Sequence, residues 1–180
     1  MATYVAFLRA INLGATRKFP KAAIVAATEA AGGTDVATWI NTGNVRLESR
    51  RRSTDTVATA LQQAYRAAAG FEVPTVVLTL PQLRELVADA DRCAAEHPET
   101  AVHYVSLLTA APAADAAAAF EERWSGPERA RVCGRAVHLL LPHRDGYHNS
   151  PLTNATVERA FGVATSRNVR VIRTVAERWA

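Results

Sequence analysis

Residues 39–47 of this chain, Trp39-Ile40-Asn41-Thr42-Gly43-Asn44-Val45-Arg46-Leu47, place a polar turn between two short apolar runs. That pattern is typical of a β-hairpin, in which the glycine gives the turn its backbone freedom. The side chains of Asn41, Thr42 and Asn44 would then stand at the hairpin tip. Two interpretations are open: these polar groups belong to a ligand site, or they are there because Asn and Thr form turns.

Strands and helices are predicted to alternate on both sides of the hairpin. In chain order the elements are a nearly uninterrupted apolar strand over 3–11, a helix from Phe19-Pro20 to Gly32-Gly33, hairpin strands over 36–40 and 44–47, a helix capped at Ser53-Thr54-Asp55 and closed by Gly70, and a strand over 74–79. The signals used are apolar periodicity, N-cap residues and terminal glycines. The order β-α-β-β-α-β predicts a ferredoxin-like split unit.

The remaining chain is predicted to repeat this order up to its end. Its elements are a helix from Pro81 to about Arg92, a strand over 101–108, a helix over 112–124, hairpin strands over 130–133 and 136–141, a helix from Ser150-Pro151 to Gly162, and a helix over 166–179. A terminal helix thus takes the place of the expected last strand. The sequence predicts an α+β fold of two fused ferredoxin-like halves, 1–92 and 93–180, in one compact body, the second completed by C-terminal helices.

Composition is that of an ordinary globular protein. Of 180 residues, 49% are hydrophobic and 21% charged. No apolar run reaches the roughly 18 residues that a membrane span needs, and the first residues lack the basic and apolar regions of a secretory signal. We therefore expect a cytoplasmic protein without membrane contact.

The net charge and the cysteines indicate which ligands and cofactors to expect. The net charge is +4, and nearly all the basic residues are arginine, since Lys18 and Lys21 are the only lysines. This balance favours anionic partners. Cys93 and Cys133, the only cysteines, show no metal-ligand spacing, which predicts two reduced structural thiols. We expect no cofactor and no metal.

Four motifs in this order resemble the bacterial family DUF1697, a domain of unknown function. They are Arg9-Ala10-Ile11-Asn12-Leu13-Gly14, Trp39-Ile40-Asn41-Thr42-Gly43-Asn44-Val45, Ser150-Pro151-Leu152-Thr153-Asn154 and Thr165-Ser166-Arg167-Asn168-Val169. The resemblance runs nearly end to end and implies two ferredoxin-like halves, but no established reaction. Ala10 replaces a family glycine, which would crowd a ligand near that backbone. Pro151 replaces a lysine and removes a positive charge.

These motifs also supply the candidate ligand-binding residues. They are Arg9, Asn12, Asn41, Thr42, Asn44, Ser150, Thr153, Asn154, Arg167 and Asn168. Guanidinium groups and the backbone N–H groups of two predicted helix starts, at Ser150 and Ser166, suit a phosphate or carboxylate. This hypothesis requires Arg9 and Arg167 to converge. The alternative is that the same side chains only cap helices and join the halves.

Other functions have weaker sequence signals. No phosphate-binding P-loop, dinucleotide fingerprint or serine-hydrolase elbow is present. His143, Asp145 and His148 could supply metal ligands, although a glycine-containing polar loop is the commoner explanation for such residues. Arg167, Arg170 and Arg173, with Arg178 beyond them, could form a basic helix face for nucleic acid. An anion-binding protein, a nucleic-acid-binding module and an interaction module thus remain open, and catalytic residues, any enzymatic reaction and the oligomeric state are not predicted.

Overall fold

A computed structural model of the chain describes residues 1–12, 14, 16–144 and 146–180. Contacts between residues divide it into two units, Met1–Leu83 with Glu177–Ala180, and Arg84–Ala176. Each unit contains a four-stranded antiparallel sheet with helices. The α+β class predicted from the sequence is confirmed. Among the described residues, no helix combines the length and apolar character that a membrane crossing requires.

The first unit follows the predicted element order. Its elements are β1 (Ala2–Leu8), α1 (Lys21–Ala30), β2 (Thr34–Trp39), β3 (Asn44–Ser49), α2 (Thr54–Ala69) and β4 (Thr75–Thr79). The strand order across the sheet is β2-β3-β1-β4, with antiparallel neighbours. β1 is therefore a central strand, as its apolar run predicts.

Local signals explain why these segments form. The Ser53 hydroxyl accepts a hydrogen bond from the Thr56 N–H and so caps α2, and Gly70 ends that helix in the left-handed region. Along β1, Tyr4, Ala6 and Leu8 join the core beneath α1 and α2. The alternate residues Val5 and Phe7 are fully buried as well. β1 is thus covered on both faces, which is why its sequence lacks polar alternation.

One irregularity lies in β2 near its start. The register between β2 and β3 shifts between Thr34 and Ala37, and Asp35 there has a φ of +48°. Arg46 on β3 donates hydrogen bonds to the backbone carbonyl of Asp35, at 3.0 Å, and to its carboxylate. This bulge is a fixed feature of the edge strand, because a side chain of the neighbouring strand satisfies the groups that leave the ladder.

The second unit has the same strand order. Its elements are α3 (Leu80–Glu96), which begins at the end of the first unit, β5 (Val102–Leu108), α4 (Ala114–Arg123), β6 (Arg129–Cys133), β7 (Ala136–Leu141), α5 (Gly146–Asn149), α6 (Asn154–Phe161), β8 (Ala164–Asn168) and α7 (Val169–Trp179). The sheet order is β6-β7-β5-β8. One face of this sheet packs with Phe120, Leu152 and Val157 in a second core.

The predicted completion of the second half by helices is wrong. β8 pairs antiparallel with β5, with Tyr104 opposite Asn168 and Leu108 opposite Ala164. The last helix begins at Val169 rather than Ser166. Pairing with β5 gives the backbone of this segment hydrogen bonds that sequence periodicity does not reveal.

Two further boundaries differ from the prediction. α3 continues to Glu96, because Asp89, taken as part of a polar helix end, is buried and paired with Arg92 on the same helix. α6 begins at Asn154 instead of Ser150-Pro151, since Ser150 follows the short helix α5. Both errors come from polar residues that the fold buries or uses in a turn.

Candidate functional site

The hairpin tip is held together by its own polar side chains. Asn44 is fully buried, and its side-chain amide donates hydrogen bonds to the Trp39 carbonyl and to the Thr42 hydroxyl, each at 3.1 Å. The Gly43 carbonyl accepts a hydrogen bond from the Leu8 N–H at 2.8 Å, which fixes the tip to the end of β1. Asn44 and Thr42 therefore stabilise the turn.

Asn12 joins three segments of the first unit. Its side-chain N–H group donates to the Asn41 carbonyl at 2.8 Å and to the Phe19 carbonyl at 3.3 Å, while its side-chain oxygen accepts from the Phe19 N–H at 2.9 Å. Both ends of the amide are thus occupied within the fold. The Asn12 amide thus contacts the Asn41 backbone within the fold, and a ligand role for these two residues stays a prediction.

Arg17, which the sequence did not single out, closes the same loop. Its guanidinium donates to the carbonyls of Ala10 and Glu72, at 2.6 Å and 2.7 Å, and lies 4.4 Å from the centre of the Phe71 ring. The Asn12 N–H donates in turn to the Arg17 carbonyl. No motif could have shown this, because the partners are backbone carbonyls.

The backbone at Ala10 adopts a conformation that favours glycine. Arg9 is half-buried, and its backbone N–H donates to the Pro74 carbonyl at 2.8 Å. Ala10 has a φ of +54°, in the left-handed region where a Cβ is strained. A glycine at this position would adopt the same backbone conformation without strain.

Ala10→Gly is therefore expected to raise the free energy of unfolding by about 0.5–1 kcal/mol, because relief of left-handed strain exceeds the added entropy of the unfolded chain. Thermal unfolding should move upward by roughly 1–4 °C. Ala118→Gly is the matched control, since Ala118 is exposed within α4 and the change should cost about 1 kcal/mol there. A loss of stability in Ala10→Gly would contradict the strain.

The predicted helix start at Ser150 is a turn. The Ser150 hydroxyl accepts a hydrogen bond from the Leu152 N–H at 2.9 Å, and Ser150 is buried. Thr153 precedes α6, but its side chain makes no capping hydrogen bond. The Asn154 amide donates to the Ala164 carbonyl at 3.1 Å, so it fastens α6 to β8. These residues connect elements of the second unit.

Arg167 and Asn168 lie at the end of β8 and have different surroundings. Arg167 is buried and donates hydrogen bonds to the Thr165 hydroxyl and the Ser166 carbonyl, at 3.0 Å and 2.8 Å. Burial lowers the pKa of Arg167 to about 10, against an opposing effect of Tyr147. The Asn168 side-chain oxygen accepts from the Arg170 N–H at 2.9 Å and so caps α7. The residue that caps the last helix is therefore Asn168, and not Ser166 as predicted.

The structure describes the two groups of candidates in separate units. Arg9 and the hairpin residues belong to the first unit, and Ser150, Arg167 and their neighbours to the second. Convergence of Arg9 with Arg167 stays a prediction. Of the candidate metal ligands, His143 is exposed, whereas Asp145 and the side chain of His148 lie outside the described residues.

The last helix carries only part of the predicted arginine face. Arg167 is in β8 instead of the helix. Arg173 forms an ion pair with Asp91 at 2.7 Å, and the Arg178 guanidinium lies 3.8 Å from the centre of the Trp39 ring. Partners within the fold thus engage two of the charges that were predicted to face a nucleic acid.

A polar cleft of about 540 Å³ opens in the second unit at the start of α7, and we call it the α7 cleft. It forms because β5 begins where β7 and β8 end, as antiparallel pairing requires. The end of α3 closes one side. Its polar lining includes His97, His103, Tyr104, Arg144, Asn168, Arg170 and Arg173.

Positive charge dominates the α7 cleft. Arg144 and Arg170 are exposed, and in the part of the chain that the structure describes neither has an ion-pair partner. The third cation, Arg173, is shared with Asp91. The first turn of α7 adds the positive end of a helix dipole. The sequence could not place Arg144 here, because it lies on a loop far from α7 in the chain.

Behind the cleft, two buried histidines are in contact. His103 Nε2 lies 3.0 Å from His138 Nδ1, so one ring donates a hydrogen bond to the other. Burial lowers the pKa of His103 to about 3, aided by His138 and Arg173, and lowers that of His138 to about 4 against an opposing effect of Asp89. Both rings are neutral at physiological pH.

A second depression, of about 460 Å³, lies in the first unit beside the start of α1. It is lined by Asn12, Gly14, Lys18, Pro20, Lys21 and Asn41. The two lysines are exposed, but the Asn12 amide is already occupied by backbone partners. This depression therefore offers positive charge to an incoming ligand. It offers fewer hydrogen-bond donors than the α7 cleft.

The fold is similar to a solved structure. The conserved bacterial protein SP0830 from Streptococcus pneumoniae matches with a TM-score of 0.76 at 18% sequence identity, over 99% of this chain and 98% of that chain. At this identity the likeness shows the fold alone. No curated protein matches the sequence.

The sequence also matches a protein family over most of its length. Residues 1–138 match the family described as "Protein of unknown function (DUF1697)". The matched region contains the β1 exit and the hairpin tip, while the two C-terminal motifs lie beyond it. Because the match covers more than half of the chain, the protein belongs to the DUF1697 family.

Proposed function

We propose that this protein binds a small anion, bearing phosphate or carboxylate, in the α7 cleft. The observation that carries the proposal is the position of Arg144 and Arg170, two exposed arginines from different elements that line one cleft. Forked guanidinium donors suit the oxygens of such groups. The volume of about 540 Å³ lies in the range that small-molecule sites occupy.

The neighbouring groups support an anion over a cation. Asn168 caps α7 through its side-chain oxygen and fixes the helix start at the cleft. His103, neutral and buried, adds a polar ring without charge. Asp91 forms an ion pair with Arg173. An anionic ligand could replace Asp91 as the partner of that arginine. The lining supplies charge and donors, which favours binding; it assigns no acid or base to a reaction.

Calorimetric titration with pyrophosphate, a nucleoside monophosphate and citrate tests the proposal. We expect at least one of these probes to bind the wild type, and Arg170→Ala to weaken that binding about 10- to 100-fold, the value of a charge-assisted hydrogen bond. Arg144→Ala should weaken it similarly. Neither change should alter folding, because both side chains are exposed.

Two control variants test whether binding depends on the α7 cleft rather than on positive charge elsewhere. Arg84→Ala removes the same charge from an exposed position on α3, ten residues before the cleft residue Ala94 and so about 15 Å away along the helix. Its affinity should match the wild type. Lys21→Ala removes charge from the other depression. Binding that depends on Lys21 but not on Arg170, or no binding of any probe, would overturn the proposal.

Nucleic acid is the second candidate for the same positive charge. Exposed Arg170 beside Arg144 could contact phosphates of a polynucleotide as well as those of a small ligand. Salt separates the two: polynucleotide affinity should fall steeply with salt and depend little on sequence. We consider the small ligand the better candidate. Arg173 and Arg178, which were expected to form part of a nucleic-acid surface, contact Asp91 and Trp39 instead.

We also infer that both units are ferredoxin-like. The support is the shared order of elements and strands, β2-β3-β1-β4 and β6-β7-β5-β8, with a helix between the first two strands of each sheet. A cytoplasmic location remains part of this proposal. It agrees with two cysteines that form no disulfide in the structure.

A further inference from the structure

Three potential metal ligands meet in the interior of the second unit. One oxygen of Asp89, the sulfur of Cys133 and one ring nitrogen of His138 all lie within 4.8 Å of one another. They come from three elements, α3, β6 and β7. Asp89 and His138 are buried and Cys133 is half-buried. No local motif links them, which is why the sequence predicted no metal.

A second observation concerns the His138 ring. His138 is fully buried, and its Nε2 atom has no hydrogen-bond partner in the part of the chain that the structure describes. Its Nδ1 atom is bonded to His103. A buried polar atom without a partner costs about 1–3 kcal/mol, so it calls for an explanation. A metal ion at Nε2 would supply that missing partner.

We propose that Asp89, Cys133 and His138 form a zinc site. Thiolate, imidazole and carboxylate are the ligands that Zn²⁺ takes in proteins, and three protein ligands leave one position of a tetrahedron open. Bonds of about 2.0–2.3 Å place ligand atoms about 3.5 Å apart. The three ligand atoms, which lie within 4.8 Å of one another, would move closer together on binding the ion.

Charge and hydrogen bonding are consistent with that ion. Zn²⁺ binds the Cys133 thiolate, whose proton leaves to solvent, together with the Asp89 carboxylate and a neutral His138, so the buried site carries no net charge. With the metal on Nε2, the Nδ1–H of His138 donates to His103. This is the outer hydrogen bond that metal-bound histidines usually make.

Two features around the proposed site affect metal binding: the contact of Asp89 with Arg92, and the access from solvent at Cys133. Asp89 accepts a hydrogen bond from Arg92, whose side chain is mostly exposed. A carboxylate has two oxygens and can bind a guanidinium and a metal together. Cys133 is half-buried, which leaves a route from solvent. Cys93, four residues after Asp89 on α3, is buried and is not part of the ligand set.

Titration of metal-free protein with Co²⁺, a spectroscopic substitute for Zn²⁺, tests the site. One equivalent of Co²⁺ should produce a sulfur-to-cobalt charge-transfer band in the near ultraviolet. Adding Zn²⁺ should displace the cobalt and remove the band. Cys133→Ala should abolish the band, and Asp89→Asn should weaken cobalt binding by about 100-fold or more, since even outer-shell changes cost 10- to 100-fold.

Cys93→Ala is the matched control, because it removes the other thiol and leaves the proposed ligands intact. It should keep the band. Circular dichroism of each variant establishes that it is folded, and Cys133→Ala should fold because its side chain is half-exposed. In the wild type, Zn²⁺ should also protect Cys133, identified by mass spectrometry, from iodoacetamide. No band in the wild type, or a band that survives in Cys133→Ala, would overturn the proposal.

Discussion

Gly43→Ala is expected to lower the free energy of unfolding by about 3 kcal/mol. An added Cβ would lie 2.6 Å from the Leu8 Cβ and 2.9 Å from the Ile11 Cδ1, so β1 and the hairpin tip would have to separate. Such overpacking typically costs about 1–3 kcal/mol. The φ of +77° at Gly43 adds left-handed strain, about 1–2 kcal/mol for a residue with a Cβ.

Gly70→Ala separates these two costs. Gly70 has the same φ of +77°, but a Cβ there would meet no atom within 4 Å. Its substitution should therefore cost only the conformational part, about 1 kcal/mol. Urea unfolding of the two variants measures the difference. Equal losses of stability would mean that the tip does not pack against Leu8 as described.

Asn44→Ala is expected to cost about 2 kcal/mol, because it removes two hydrogen bonds of the buried Asn44 side chain and leaves the half-buried Trp39 carbonyl without that donor. The effect should appear in urea unfolding as a lower midpoint with an unchanged slope. It should also appear without any ligand, since the bonds lie within the turn.

Asn41→Ala is the control for this variant, at an exposed position of the same tip. Asn41 contributes its backbone carbonyl to the Asn12 amide, and alanine keeps that carbonyl. We expect a change within about 0.5 kcal/mol. A cost as large as that of Asn44→Ala would contradict the division between Asn44, whose side chain is bonded within the turn, and Asn41, whose side chain is exposed.

Sequence patterns predicted those elements whose signals are local or strongly periodic. The β1 run, the hairpin around Gly43 and the capped helix α2 carry such signals, and all three are confirmed. β8 was missed because Thr165, Ser166 and Arg167 look like the first turn of an amphipathic helix. Only pairing with β5, far away in the chain, makes this segment a strand.

The partners of the candidate site residues could not be predicted from the sequence, for a different physical reason. Sequence identifies which side chains can donate or accept hydrogen bonds, but not which partners occupy them. Asn12 and Asn44 are polar residues of the expected type whose amides bind backbone carbonyls of the fold. Arg144 and His138 gain their importance from neighbours on other elements, so no spacing in the chain points to them.

The bulge in β2 has a consequence for the protein at high concentration. An edge strand with regular, unpaired backbone groups can act as a template on which another chain adds a strand, and this is a common route to aggregation. In β2 the kink at Asp35, held by Arg46, interrupts that row of groups. The first sheet thus has a built-in barrier against growing into an intermolecular one along this edge.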